Sequence, residues 1–238
     1  MGRKKDTVSS KTILMFNIFI ALIQKKILRE RYGKEKTDAW LKRSRGIFKS
    51  LYRKMPDIGG GENMLYKNLA MSTFLMPMAV VMKQEGLPTR EIGEHIFNVA
   101  ERSNELFLPL MKALSYADKS QVKKMRLAAE RSLKREYPAD WVFEFVEGGE
   151  KYLYGYDIKE CAIHKFWRDQ GLEELAPYLC LTDWAKWKAM GVSVERTQTV
   201  ANGGDLCDFR YCKEKKECPS GWPPESNVEW TGKFERGR

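Results

Sequence analysis

The spacing of apolar positions changes once along the chain. Up to about residue 135 it has the three-to-four period of helices. Residues 13–23 are almost all apolar, and a helix is predicted from Thr12 to Tyr32, capped by Ser9 or Ser10 and ended by Gly33. Trp40, Leu41, Ile47, Phe48 and Leu51 make one buried stripe of a second helix, Asp38 to Met55. Pro56 and Gly59-Gly60-Gly61 then break the chain. A methionine-rich helix is expected near Glu62 to Glu85. Its Met64, Met71, Met76, Met78 and Met82 read first as core, with an adaptable pocket as the alternative. Pro88-Thr89 opens a further helix, which Pro109 kinks or splits, and Ser120 to Arg135 form a last, charged one.

Beyond residue 135 the pattern becomes that of strands. "DWVFEFVEGGEKYLYGYD" reads as two strands around Gly148-Gly149. "ECAIHKFWRDQG" is a short helix closed by Gly171, and "LEELAPYLCLTDWAKWKAMG" is helical with a break near Pro177 and a stop at Gly191. "ERTQTVANGGDLCDFRYC" reads as two more strands joined by a glycine turn. The predicted class is α+β: a helical half packed on a small antiparallel sheet in β-β-α-α-β-β order. Three regions follow: 1–135, helical with a basic start; 136–212, α+β; and 213–238, a polar, proline-containing stretch expected to be a loose tail.

Charge alters the picture of the first region. Residues 1–54 carry sixteen Lys/Arg against four Asp/Glu, while the rest carries twenty-six against twenty-eight. The net charge of +10 is therefore an N-terminal property. A solvated basic helical face is the plain reading. Peripheral contact with an anionic membrane or an acidic partner is the functional one, and no nucleic-acid partner is expected. The apolar run is too short to span a bilayer, no small-x-small cleavage site follows it, and Lys25, Lys26, Arg29 and Arg31 continue directly. All five cysteines lie after residue 160. Their odd number suits a reducing cytoplasm better than a secreted disulfide framework.

The candidate chemistry sits in the second half. If the turn centres on the glycines at 203–204, strand alternation joins Val192, Val194, Arg196, Gln198 and Val200 to the face of Cys207, Phe209 and Tyr211. Arg196 is then on an apolar face and needs an anion. Two readings stay open: a structural ion pair with Asp205 or Asp183, or a bidentate clamp on a substrate carboxylate. Cys161 and His164, and likewise Cys180 and Asp183, are spaced i, i+3 on helix faces. Cys161, His164, Cys180 and Cys207 have the ligand types of a zinc site but not its usual spacing, so no metal or other cofactor is expected. Each cysteine is otherwise a small buried hydrophobe or a thiolate nucleophile. His95 falls mid-helix among charges and reads as incidental.

The stretch "GYDIKECAIHKFWRDQGLEELAPYLCLTDWAKWKAMGVSVERTQTVANGGDLCDFRY" resembles the L-2-amino-thiazoline-4-carboxylic acid hydrolase family. The resemblance rests on Cys161; on Gly171 with Glu174, Leu175 and Ala176; on Cys180 with Asp183; and on Arg196, Thr197, Thr199, Gly203, Gly204, Asp205, Cys207, Asp208 and Phe209. It implies a hydrolase that opens a cyclic amidine carboxylate to a carbamoyl-cysteine by breaking a C–N bond. Cys161, Cys180, Asp183 and Cys207 are then the catalytic candidates, and Arg196, Thr199, Asp205, Asp208 and His164 the substrate-binding ones. The closing "GGDLCDF" is also similar to the end of 4-vinyl reductase-type domains. The alternative is therefore a small-molecule-binding or sensor protein without turnover.

Overall fold

The structure, a computed structural model, describes residues 7–111 and 119–235. Helix α1 (Ser10–Phe19) starts where expected, with Ser9 Oγ accepting from the Thr12 amide at 3.1 Å. A single π-helical stretch, Ile20–Gln24, leads into α2 (Lys25–Arg53). Gly33 interrupts α2 with φ 74°, a backbone that L residues rarely adopt, so the predicted boundary is a sharp kink between two helical segments. Phe16 of α1 stacks on Phe48 of α2 at 3.8 Å, and both meet the edge of Phe74 in α3 (Tyr66–Gln84). Within α3, Met76, Met78 and Met82 are fully buried, which is the core reading. Met71 and the preceding Met64 are exposed instead. Helix α4 (Thr89–Met111) continues past Pro109, and the side chains around that proline lie outside those described. Helix α5 (Lys119–Leu133) closes the helical half.

Strands β1 (Val142–Val146) and β2 (Tyr152–Glu160) form the expected hairpin. Helix α6 (Ala162–Asp169) ends before Gly171, and α7 (Ala176–Met190) ends at Gly191, whose φ is 66°. Pro177 does not break α7. It sits in its first turn, where a missing N–H costs nothing, and a 3-10 turn at Glu173–Leu175 precedes it. β3 (Val194–Glu195) and β4 (Cys207–Cys212) complete an antiparallel sheet of order β1-β2-β4-β3. The α+β class and the chain order of its elements agree with the sequence.

Two expectations need correction. The last hairpin is not two full strands. β3 pairs only Val194 with Tyr211 and Glu195 with Arg210. Residues 196–206 leave the ladder as a wide loop containing a 3-10 turn, Val200–Asn202. Asp208 is the reason: its carboxylate accepts from the Thr197 and Gln198 amides (2.8 and 2.9 Å) and the Thr197 hydroxyl (2.5 Å), which fastens the loop to β4 by side-chain rather than ladder bonds. The predicted face parity nevertheless holds, with Val194, Cys207, Phe209 and Tyr211 all buried together.

The second correction is the C-terminal stretch, which is not loose. Trp222 packs against Phe97 and Tyr178, with the Arg90 guanidinium over its ring. Trp230 meets Tyr178 edge-on, and Thr231 donates to the Asn202 carbonyl at 2.9 Å. Arg90 also pairs with Glu225. The segment thus crosses α4 and α7 and reaches the 200–202 turn. Its two tryptophans supply buried apolar area that its prolines and charges conceal in the sequence.

Candidate functional site

Helix α7 lies against the sheet through Trp187, whose ring meets the edges of Phe209 and Tyr211. The i, i+3 spacing on α7 turns Cys180 and Asp183 toward the same place, and β3 delivers Arg196 there as the chain leaves the sheet. Arg196 is 2% exposed, within about 5 Å of the ring centroids of Trp184 (5.3 Å), Trp187 (5.1 Å) and Phe209 (4.9 Å). Such a charge requires anions, and it has two. Its Nη1 donates to Asp183 at 2.7 Å. Its Nε and Nη2 donate to the two oxygens of Glu229 at 2.5 and 2.7 Å. Nη2 also reaches the Cys180 carbonyl at 2.8 Å.

Glu229 belongs to the C-terminal segment and is itself only 1% exposed, accepting a further bond from the Trp184 indole at 3.1 Å. Burial opposes the guanidinium charge, but Glu229 and Asp183 outweigh it and hold the Arg196 pKa well above its usual value. The fork expected to clamp a ligand carboxylate is therefore filled by the chain's own carboxylate. The ion pair with Asp183, left open beside that reading, is present. The cluster holds one cationic and two anionic side chains. The surplus carboxylate is that of Asp183, whose side chain remains 40% exposed.

Three thiols surround this ion cluster. Cys161 precedes α6, Cys180 lies on α7 and Cys207 opens β4. Each lies within electrostatic range of the others, and Cys161 is also within range of Asp183. Burial pushes all three thiols up, Cys180 well above the usual value and Cys207 to about 12. Opposing it are the amides of His164 and Ile163 at Cys161, the Arg196 charge at Cys180, and the Val200 amide, 3.3 Å from the sulfur, at Cys207. Burial thus favours the neutral, protonated form of all three. Among the described residues, no three His, Cys, Asp or Glu side chains are arranged to hold a metal ion.

The remaining candidates are placed elsewhere or occupied by structural work. Thr199 is fully buried, its hydroxyl accepting from the Asn202 amide and side chain, which caps the 200–202 turn. Asp208 fastens the loop. Asp205 is exposed on the turn before β4. The His164 imidazole faces Glu173 at 3.5 Å. Burial first of all, then the nearby Arg168 and Lys233 charges, lowers its pKa, against the pull of Glu173. Sequence reasoning did not single out Glu229. The signal for it is the arginine itself, since a guanidinium on an apolar face has five N–H donors, more than one carboxylate satisfies, and "NVEW" puts an acid beside a tryptophan. A surface groove of about 600 Å³ at Lys188, Val192, Lys216 and Cys218 includes none of the candidate residues.

Searches of curated proteins and of solved structures return no match to the chain. The sequence profile described as L-2-amino-thiazoline-4-carboxylic acid hydrolase matches residues 67–211, which takes in α3 to α7 and nearly the whole sheet and leaves Glu229 outside. That match covers more than half the chain and contains Cys161, Cys180, Asp183, Arg196 and Cys207 in one cluster: the chain belongs to the L-2-amino-thiazoline-4-carboxylic acid hydrolase family.

Proposed function

We propose that the protein hydrolyses a small cyclic amidine carboxylate of the L-2-amino-thiazoline-4-carboxylic acid kind, opening the ring to a carbamoyl-cysteine. The observation that carries the reading is the half-open carboxylate of Asp183, beside a fully neutralised Arg196 and the half-buried residues Cys161 and Cys180. A protonated amidine is a flat cation with N–H groups on one edge, and a surplus carboxylate beside apolar rings suits it. Water adds to the ring carbon that bears the amino group. One water proton passes to Asp183 as the C–O bond forms. Collapse of the tetrahedral carbon to a carbonyl then breaks the ring C–N bond; the departing nitrogen takes that proton from Asp183 and the hydroxyl proton as well, leaving as the ammonium of an S-carbamoyl-cysteine with Asp183 ionised again. The neutral thiols favour direct attack by water over a covalent thiolate adduct, because the thiolate is the nucleophilic form.

The alternative, binding without turnover, is favoured by one observation: Glu229 already fills the Arg196 fork. Purified protein incubated with a panel of cyclic amidine carboxylates separates the two, with products followed by mass. The proposal expects a product heavier by one water. It also expects kcat to fall about a hundredfold or more in Asp183→Asn, against a loss under tenfold in Cys161→Ser. Binding of the panel with no ring opening would favour the alternative. A stable mass adduct on Cys161 or Cys180 would replace direct water attack by a covalent route.

A further inference from the structure

Helix α1 and the π-helical stretch after it are apolar on both sides. One side carries Phe16, Ile20 and Ile23 into the core. A helix with one face so buried normally turns polar residues to the other. Here the opposite side shows Leu14, Met15, Ile18 and Leu22, each between 45% and 59% exposed. Leu14, Ile18 and Leu22 follow one another at intervals of four and form a continuous ridge about 12 Å long.

The charge around the ridge is mainly basic, the nearest acid after it in the chain being Glu30, 3.9 Å from Lys26. From Ser10 to Lys26 there is no Asp or Glu. Lys11 stands exposed one turn before Leu14, and Lys26 exposed one turn after Leu22. Helix α2 runs alongside, tied by Arg45 Nε donating to Asn17 Oδ1 at 3.2 Å, and it adds exposed Lys42 and Lys49. No described helix is long and apolar enough to cross a membrane. An apolar ridge bracketed by lysines, on a helix that is itself held to the protein, has the build of an element that lies in the headgroup region of a bilayer. Lysine stems extend along such a surface while their ammonium groups meet lipid phosphates.

We infer that the Leu14–Leu22 ridge is a peripheral docking surface for an anionic membrane. The acyl-chain boundary takes the four apolar side chains, and the lysines select anionic headgroups. The inference is independent of the hydrolase reading, since the ridge lies outside residues 67–211 and shares no residue with the thiol cluster.

Co-sedimentation of the full chain with vesicles tests it, using phosphatidylcholine alone and phosphatidylcholine mixed with phosphatidylserine. The expected result is pelleting with the mixed vesicles, weaker pelleting with the neutral ones, and release by high salt. The triple variant Leu14→Ser, Ile18→Ser, Leu22→Ser, which alters only exposed positions, should bind about tenfold or more weakly with an unchanged melting temperature. Lys11→Glu with Lys26→Glu should lose the preference for anionic lipid. Failure of the wild-type chain to pellet, or equal pelleting of the wild type and the triple variant, would overturn the inference. So would a dimer in sedimentation velocity that the triple variant abolishes, since the ridge would then be covered by a second copy.

Discussion

At the scale of single residues, Arg196 decides most of the site. The sequence placed it correctly on the valine and phenylalanine face, because strand parity survives even though β3 is only two residues long. Its need for an anion was legible as well, and so was Asp183 as a partner. Glu229 was not, because sequence separation and the prolines around it gave no local periodicity to read. The arginine is sandwiched between aromatic rings and two carboxylates, so removing one partner leaves a buried charge underpaired. Glu229→Leu should destabilise the fold by about 3 kcal/mol. The double variant with Arg196→Met should recover much of that loss, since an apolar pair replaces the ionic one. Urea denaturation of the wild type, both single variants and the double variant checks this. A strictly additive double variant would mean that the two side chains do not act as a pair.

At the scale of elements, the ends of α6 and α7 are legible almost to the residue, because glycines in left-handed geometry close them at 171 and 191, while the start of α7 is not. The wide loop before β4 was missed for the opposite reason. Asp208 bonds two backbone amides that a strand would have spent on its ladder, and nothing in an alternating pattern announces such a substitution. The contact of α4 with α7 was also hidden. Gly93 in α4 lies directly beneath the ring of Tyr178 in α7, so that a Cβ there would overlap the ring. Helical φ and ψ at that position mean that closeness, not backbone freedom, demands glycine. Gly93→Ala should therefore lower stability by about 1–3 kcal/mol despite raising helix propensity. A thermal melt decides between these opposed effects, and a raised melting temperature would show that α4 and α7 can separate freely. Tyr178 also bonds Glu235 and carries Trp230, so the same melt would report loosening of the C-terminal segment.

Across the whole molecule, a single apolar core runs from the N-terminal helices to the sheet. Their stability shares one acid-sensitive group. His95 on α4 is buried, and that burial, with the Arg31 charge adding to it, drops its pKa to about 4. In the unfolded chain it titrates near 6.5, so the unfolded state takes up the proton first as pH falls. The stabilisation is complete above about pH 6.5 and is lost progressively down to about pH 4, on the order of 3 kcal/mol in all. His95→Gln should flatten the stability profile over that window in denaturation measured at successive pH values. An unchanged slope would assign the acid sensitivity to other groups. The position of Glu229 has one further consequence. Chains are made from the N-terminus at about 5–20 residues per second, and most of this protein's helices and its sheet emerge before residue 229 does. Until then the nascent Arg196 has the Asp183 carboxylate but not its bidentate partner, so closing Trp184, Trp187 and Phe209 over it would leave unpaired the N–H donors that Glu229 takes. The α+β half is thereby expected to reach its final packing only after the 224–229 stretch has emerged and Glu229 has docked on Arg196.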